Sequence, residues 1–281
     1  MAKFKEAAMR IVFLLAACVS IACVVLICVY LLGNGIPTIG EIGLDNFFGK
    51  TWKPSKDLYG IFPFIIGSIY VTAGAIVVGV PIGLLCAIYM AYFCPKGLYR
   101  VLSPAVRLMA GVPSIIYGFF GLMVIVPVIQ KLTGTSGKGL LTASLLLGIM
   151  ILPTIIGTAE PAIRAVPRSY YEGSLALGAT HERSTFSAVV PAAKSGVMSG
   201  VILGVGRAIG ETMAVIMIAG NQTRMPGGLL DGLRTMTSNI VLEMGYSTGL
   251  HRRALIATGV VLFVFILIIN TCFSLMKRRD S

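Results

Sequence analysis

Charge is scarce in this 281-residue chain: Asp, Glu, Lys and Arg make up 12% of it, against 56% for the hydrophobic types. A soluble domain carries about a quarter charged residues. A mean hydropathy of +0.90 leaves too little polar surface for a water-facing fold, so the chain reads as integral to a membrane. Acidic residues are scarcer still, 11 against 23 basic, for a net charge of +12. In a soluble protein that excess would suggest nucleic acid. Here basic residues flanking membrane helices account for it, and no nucleic-acid partner is expected.

Other absences narrow the function. The nucleotide-cradling pattern G-x-x-x-x-G-K-[ST] is missing, and "GTSGKG" at 134–139 lacks its spacing. No metal-ligand cluster and no nucleophile–base pairing stands out. The chain is therefore expected to bind no cofactor, to hydrolyse no ATP and to be no enzyme. The six cysteines lie in or at the edge of apolar runs. The five-residue steps among Cys18, Cys23 and Cys28 point to different helix faces, which argues against metal ligation and leaves them as small hydrophobes.

What is abundant is long apolar sequence. A bilayer crossing needs about 20 apolar residues. Six runs qualify: 11–32, 64–93, 108–129, 140–158, 196–220 and 254–276. The fold class expected is all-α: one polytopic membrane domain over 1–281, with six transmembrane helices. "MAKFKEAAMR" resembles the start of a signal peptide. The run after it is too long and lacks an Ala-x-Ala site, so it reads as a retained anchor. Six crossings put both termini on one side, and Lys3, Lys5, Arg10, Lys277, Arg278 and Arg279 mark that side as cytoplasmic. The loops 33–61 and 221–253 then lie outside. Trp52, Tyr59 and Phe62 suit an interfacial aromatic belt. Gly79, Pro81 and Gly83 interrupt the second span, Gly111 and Pro113 the third, and Pro153 the fourth. Such breaks are tolerated where neighbouring helices or a cavity re-satisfy the backbone.

One span contains charge. "GVGRAIGETMAVIMIAG" (204–220) is apolar except for Arg207 and Glu211. A charge at mid-bilayer costs roughly 2.5–3.5 kcal/mol, so such residues usually face a bundle interior or a wet cavity. The i, i+4 spacing predicts one shared helical face on which the two touch. Arg offers a planar fork of donors suited to a tetrahedral oxyanion, and Glu211 would hold it when the site is empty. Ser114 and Tyr117, after the Pro113 break, and Thr212, beside Glu211, are further path candidates.

The loop 159–195 is longer than a connector needs to be. Ser169 precedes Glu172 by three residues, a capping-box spacing, and Pro167 blocks backward extension. Gly178 suits the residue after a helix end. Thr180 is placed to cap a second helix ending before Pro191. Two short helices on the cytoplasmic face are expected.

Glu172-Gly173-Ser174, Gly178 and Ala188-Val189-Val190-Pro191 resemble the EAA loop of ABC-importer permeases, in register though Ala-Ala is replaced by Gly173-Ser174. "AGVPSIIYGFFGL" (110–122), "IMILPTI" (149–155), "RAVPRSYYEGSLALGAT" (164–180), "GRAIGETMAV" (206–215) and "GLHRRAL" (249–255) are similar to the phosphate-specific members. "GIPTIGEIGLDNFFGKTWKP" (35–54) resembles the PstC-type more than the PstA-type. The resemblance implies a type I importer permease (MetI-like) fold in a bacterial inner membrane. It implies a phosphate path along Arg207 and Glu211. It also implies a coupling helix from Tyr170, Tyr171, Glu172, Gly173, Ser174, Leu175, Ala176 and Leu177 to Gly178 and Ala179. The implied partners are a PstA-like permease, two PstB-like ATPase copies that use ATP and Mg, and a PstS-like external binding protein. Alternative readings are a permease for another oxyanion (sulfate, molybdate, phosphonate), or a secondary transporter with Glu211 relaying protons.

Overall fold

A computed structural model describes the backbone of residues 2–279, with side chains at all but the two ends. The terminal basic groups of Lys3, Lys5, Lys277, Arg278 and Arg279 lie outside the described residues. The chain is helical apart from a hairpin, β1 (Trp52–Lys53) and β2 (Leu58–Tyr59). In order come α1 (Ala2–Ile42), α2 (Phe62–Phe93), α3 (Lys96–Gly111), α4 (Ser114–Thr133), α5 (Leu140–Arg164), α6 (Arg168–Ala176), α7 (His181–Ala192), α8 (Lys194–Gly210), α9 (Met213–Ile218), α10 (Met236–Met244) and α11 (Gly249–Arg279).

Among the described residues, α1, α2, α4, α5 and α11 are each long and apolar enough to cross a bilayer. The sixth crossing is broken. α7 bends by 73° into α8. The 17 residues of α8 rise only about 25 Å, short of the ~30 Å hydrocarbon layer. α9 continues the expected run after a two-residue gap.

The breaks agree with expectation only in part. α2 runs through Pro81 and α5 through Pro153 without ending. The expected break at Gly111 and Pro113 does form, and the third span begins after it at Ser114 and not near 108. Residues 96–111 form a separate helix. The other break, at Glu211-Thr212, has no proline. Wide π-helical turns occur at Tyr89–Phe93, Gly121–Ile125 and Thr185–Val189.

α5 is the axis. Leu146, Leu147, Met150, Ile151 and Ile155 are buried on it. α2 and α8 approach it through small residues. A Cβ on Gly79 would sit 2.7 Å from the Gly148 carbonyl oxygen, and one on Gly204 2.9 Å from the Ile155 side chain. Gly196, Gly200 and Gly204 recur every fourth residue, the spacing that lets membrane helices touch backbone to backbone.

One end of the bundle is capped. The loops 33–61 and 221–253 fold together around Phe47, Trp52, Tyr59, Ile61, Phe64 and Met236. Trp52 and Tyr59 are 4% and 2% exposed, so they form no interfacial belt. Trp52 Nε1 donates to Glu243 Oε2 at 2.9 Å. The same buried carboxylate takes His251 Nε2 at 2.8 Å and Arg234 Nη1 at 2.5 Å. Desolvation pushes the Tyr59 phenol up, aided by its hydrogen bond to Asp57. The 25-residue α5 then carries the chain about 37 Å to the opposite end, where loop 159–195 begins.

Overpacking a tight helix seam costs about 1–3 kcal/mol. Gly79→Leu should therefore lower the thermal unfolding midpoint in detergent, while Gly97→Ala, where a Cβ meets nothing within 4 Å, should leave it unchanged. Equal midpoints for Gly79→Leu and the parent chain would refute the seam.

Candidate functional site

Arg207 is the cation that the apolar context must accommodate. It lies on α8 at the edge of a stripe left uncovered within this chain. Leu203 and Gly210 on that stripe are exposed, and a Cβ on Gly206 or Gly210 would meet nothing within 4 Å. The guanidinium Nη1 donates to Thr154 Oγ1 on α5 at 3.2 Å. Tyr117 is buried, and its hydroxyl donates to the Met109 carbonyl at 2.9 Å across the Val112-Pro113 break. Tyr117, selected from the sequence, thus bridges one break, and Arg207 stands one turn before the other. Thr154, which follows Pro153 in the middle of a span, was not selected. A hydroxyl beside a mid-span proline was the available signal.

Glu211 is not where the i, i+4 spacing puts it. α8 ends at Gly210, and Glu211 is extended, with φ −69° and ψ 131°. Among the described residues no ion pair joins it to Arg207. Its Oε1 instead accepts from the Thr212 and Ala214 backbone N–H groups at 3.1 and 3.2 Å, capping α9. The physical reason is that a helix start leaves its first amides without partners, and a carboxylate one residue upstream is the nearest acceptor. Thr237 Oγ1 on α10 donates to the Glu211 carbonyl at 3.2 Å, and Thr212 Oγ1 donates to the Gly210 carbonyl at 3.2 Å. Three side chains thus satisfy four of the backbone groups at the break. Ser114 opens α4 just after the other break and is half-buried.

The second candidate region is α6. It spans Arg168–Ala176, close to the expected 170–177, and no residue on it is buried. Leu177 beyond it is 91% exposed. Gly178 takes φ 82°, and Gly178 N–H donates to the Leu175 carbonyl and Ala179 N–H to the Ser174 carbonyl, which closes the helix end as expected. The capping box does not form. Pro167 occupies the cap position with no side-chain bond, so Ser169 is already the second residue of the helix, past the position from which it could cap. Thr180 does cap α7, accepting from Arg183 N–H at 3.3 Å. α7 continues past Pro191 because the wide turn Thr185–Val189 precedes it, so no regular α-turn has to absorb the missing donor. His181 and Tyr171 join the two helices, Oη to Nδ1 at 2.6 Å, and both pack against aromatic residues at the end of α2: Phe93 on His181 and Tyr92 on Tyr171.

A bundle of broken membrane helices with a cation in an apolar helix and a bare helix at one end has the build of a type I ABC importer permease. The fold is similar to a chain of a bacterial alginate ABC transporter (TM-score 0.66, 15% identity, 98% of this chain and 96% of that one). It is also similar to a chain of the MetNI methionine ABC transporter in an inward-facing conformation (TM-score 0.62, 21% identity, 82% and 100%). Residues 79–279 match the family model for the binding-protein-dependent transport system inner membrane component, and the chain belongs to that family. Its sequence is 37% identical to the probable ABC transporter permease protein YqgH of Bacillus subtilis, over 95% of this chain and 91% of that protein. It is 33% identical to the phosphate transport system permease protein PstC of Mesorhizobium japonicum (86% and 80%) and to the probable PstC of Methanocaldococcus jannaschii (84% and 82%). It is therefore a PstC-like, membrane-spanning ABC permease, of a family whose members are non-catalytic subunits.

If Glu211 is a cap, its acceptor oxygen matters more than its charge. Glu211→Gln should retain most stability, while Glu211→Ala should lose about 1 kcal/mol, the usual cost of a lost helix cap. Thermal unfolding of the two variants side by side reads this, and an equal loss would return Glu211 to a counter-ion role.

Proposed function

We propose that the chain is one permease subunit of an ATP-driven importer of inorganic phosphate, forming the anion path with a second, PstA-like permease. The observation that carries this reading is Arg207, a guanidinium inside an apolar helix with one neutral hydrogen-bond partner, at the edge of an uncovered stripe. A second permease laid on that stripe would enclose the cation between subunits. A phosphate oxyanion would then be its counter-charge, met by paired N–H donors. The names of the PstC relatives support phosphate as the anion. Tyr117, Ser114 and Thr212, beside the two helix breaks, are assigned to the same path. Glu211 shapes that path by holding the break open.

Residues 170–179 are the proposed contact with a PstB-like ATPase dimer, which would bind ATP and Mg and supply the energy. A PstS-like protein would deliver phosphate to the capped end. In this orientation the loops 33–61 and 221–253 face outward, and loop 159–195 and both termini face the cytoplasm. The whole chain acts as one transmembrane domain.

Arg207→Gln should lower phosphate uptake about 10- to 100-fold, the range for removing a hydrogen bond to a charged group, with assembly intact by co-purification. Lost assembly would reassign Arg207 to packing. Excess sulfate, molybdate or phosphonate should not compete with labelled phosphate in the same assay; full competition by one of them would reassign the substrate. Gly178→Asp puts a Cβ and a charge at a positive-φ position beside the exposed Leu177. It should abolish ATPase co-purification or uptake, and normal levels of both would overturn the coupling assignment.

A further inference from the structure

At the end of α5 remote from the cap lies a cavity of about 590 Å3, lined by Met90, Tyr99, Ser103, Arg107, Glu160 and Arg164 among others. Its charged groups are two guanidiniums and one carboxylate. Glu160 is buried, and its Oε1 accepts from Tyr99 Oη at 3.1 Å and from Arg164 Nε. Arg164 is engaged as well, donating Nη2 to the Met90 carbonyl at 2.6 Å and lying over the Tyr99 ring at 4.4 Å. Arg107 differs. Its only hydrogen bonds among the described residues go to Ser103, at 2.7 Å to Oγ and 3.4 Å to the carbonyl, and no carboxylate pairs with it. Ser103 is 9% exposed. Because its oxygen accepts from Arg107, its hydroxyl proton is free to donate. A guanidinium without an acid partner, backed by a hydroxyl donor in a cavity of net positive charge, has the chemistry of an oxyanion site.

Two elements lead from the cavity toward the path candidates. On α5, Thr154, which holds Arg207, is followed by Ile156 and Gly157, which line the cavity. On α3, Arg107 is two residues from Met109, whose carbonyl accepts from Tyr117. We propose that this cavity is a second oxyanion site on the path, in which Arg107 and Ser103 hold inorganic phosphate after it leaves Arg207 and before release at the loop 159–195 end. The neighbouring Glu160 tempers the positive field, so the grip is weak enough for release. The choice of phosphate rests on the function proposed above.

The test uses the importer assembled with its partner permease and ATPase in nanodiscs, without the binding protein. Ala165, which lines the cavity, is replaced by cysteine, and its labelling by a maleimide is followed against the background of the unsubstituted chain. Millimolar inorganic phosphate should slow labelling several-fold. Arg107→Gln should abolish that protection, and Arg107→Lys should restore part of it. Unprotected labelling, or protection indifferent to Arg107→Gln, overturns the site. Labelling that is slow with phosphatidylglycerol, fast with phosphatidylcholine and blind to inorganic phosphate assigns the cavity to a lipid headgroup and also overturns it. Phosphate uptake by the unsubstituted importer, reconstituted in closed vesicles and supplied with its external binding protein, is measured in parallel. Absent uptake with intact, Arg107-dependent protection refutes the transport reading alone, and uptake without protection refutes the second site alone.

Discussion

A guanidinium inside an apolar helix can persist only where something other than lipid faces it, and the arrangement around α8 follows from that constraint. Gly196, Gly200 and Gly204 form one stripe of α8 and bring it within van der Waals distance of α5. Leu203, Gly206 and Gly210 form an uncovered stripe. Arg207 sits at the seam between the two. The close approach lets one of its nitrogens reach Thr154, and the remaining donors have no carboxylate to satisfy them. Bulky residues on the packed stripe would move α8 away from α5 and strand the charge. The small residues thus serve the cation as well as the packing.

The break after Gly210 separates the roles of two charges that look like a pair. An interrupted membrane helix must find partners for its freed N–H and C=O groups within the protein. Glu211 supplies acceptors for two amides, and Thr212 and Thr237 supply donors for two carbonyls. Among the described residues, a carboxylate engaged in this way forms no ion pair with Arg207. Under the proposed function the cation would be free for a mobile anion, whereas a tight intrahelical ion pair would have to be broken at every passage.

What could be read from the sequence follows from the range of the interactions involved. The all-α class and the apolar crossings are written in runs of about twenty residues, and Gly178 ends its helix by a local preference for positive φ. The Glu211 break was hidden because no proline or unusual turn residue marks it; a threonine on α10, 26 positions away, secures it. Trp52 was misread for a similar reason. Its partner Glu243 is 191 positions distant, and only the folded cap turns an interfacial residue type into a buried donor. Proline was an unreliable marker of breaks. Pro81 and Pro153 lie within continuous helices, whereas Pro113 follows a true stop. Context, not residue type, decides whether a neighbouring helix absorbs the lost hydrogen bond.

The connection between the two ends of the bundle is also structural. α6 buries nothing of its own. It is held by Tyr171 against His181 of α7, and both rings pack on Tyr92 and Phe93 at the end of α2. α7 turns by 73° directly into α8, with Ala193 buried at the bend. A displacement imposed on α6 by a partner would therefore reach α8 through two aromatic contacts and one bend, with no flexible loop between. The glycine seam is where α8 lies closest to α5. Arg207 stands one turn from the end of α8, beside the break, where a displacement of α8 would move it relative to Thr154. Under the proposed function, energy supplied from outside the chain would thus act on a group whose hold on an anion has to change during transport.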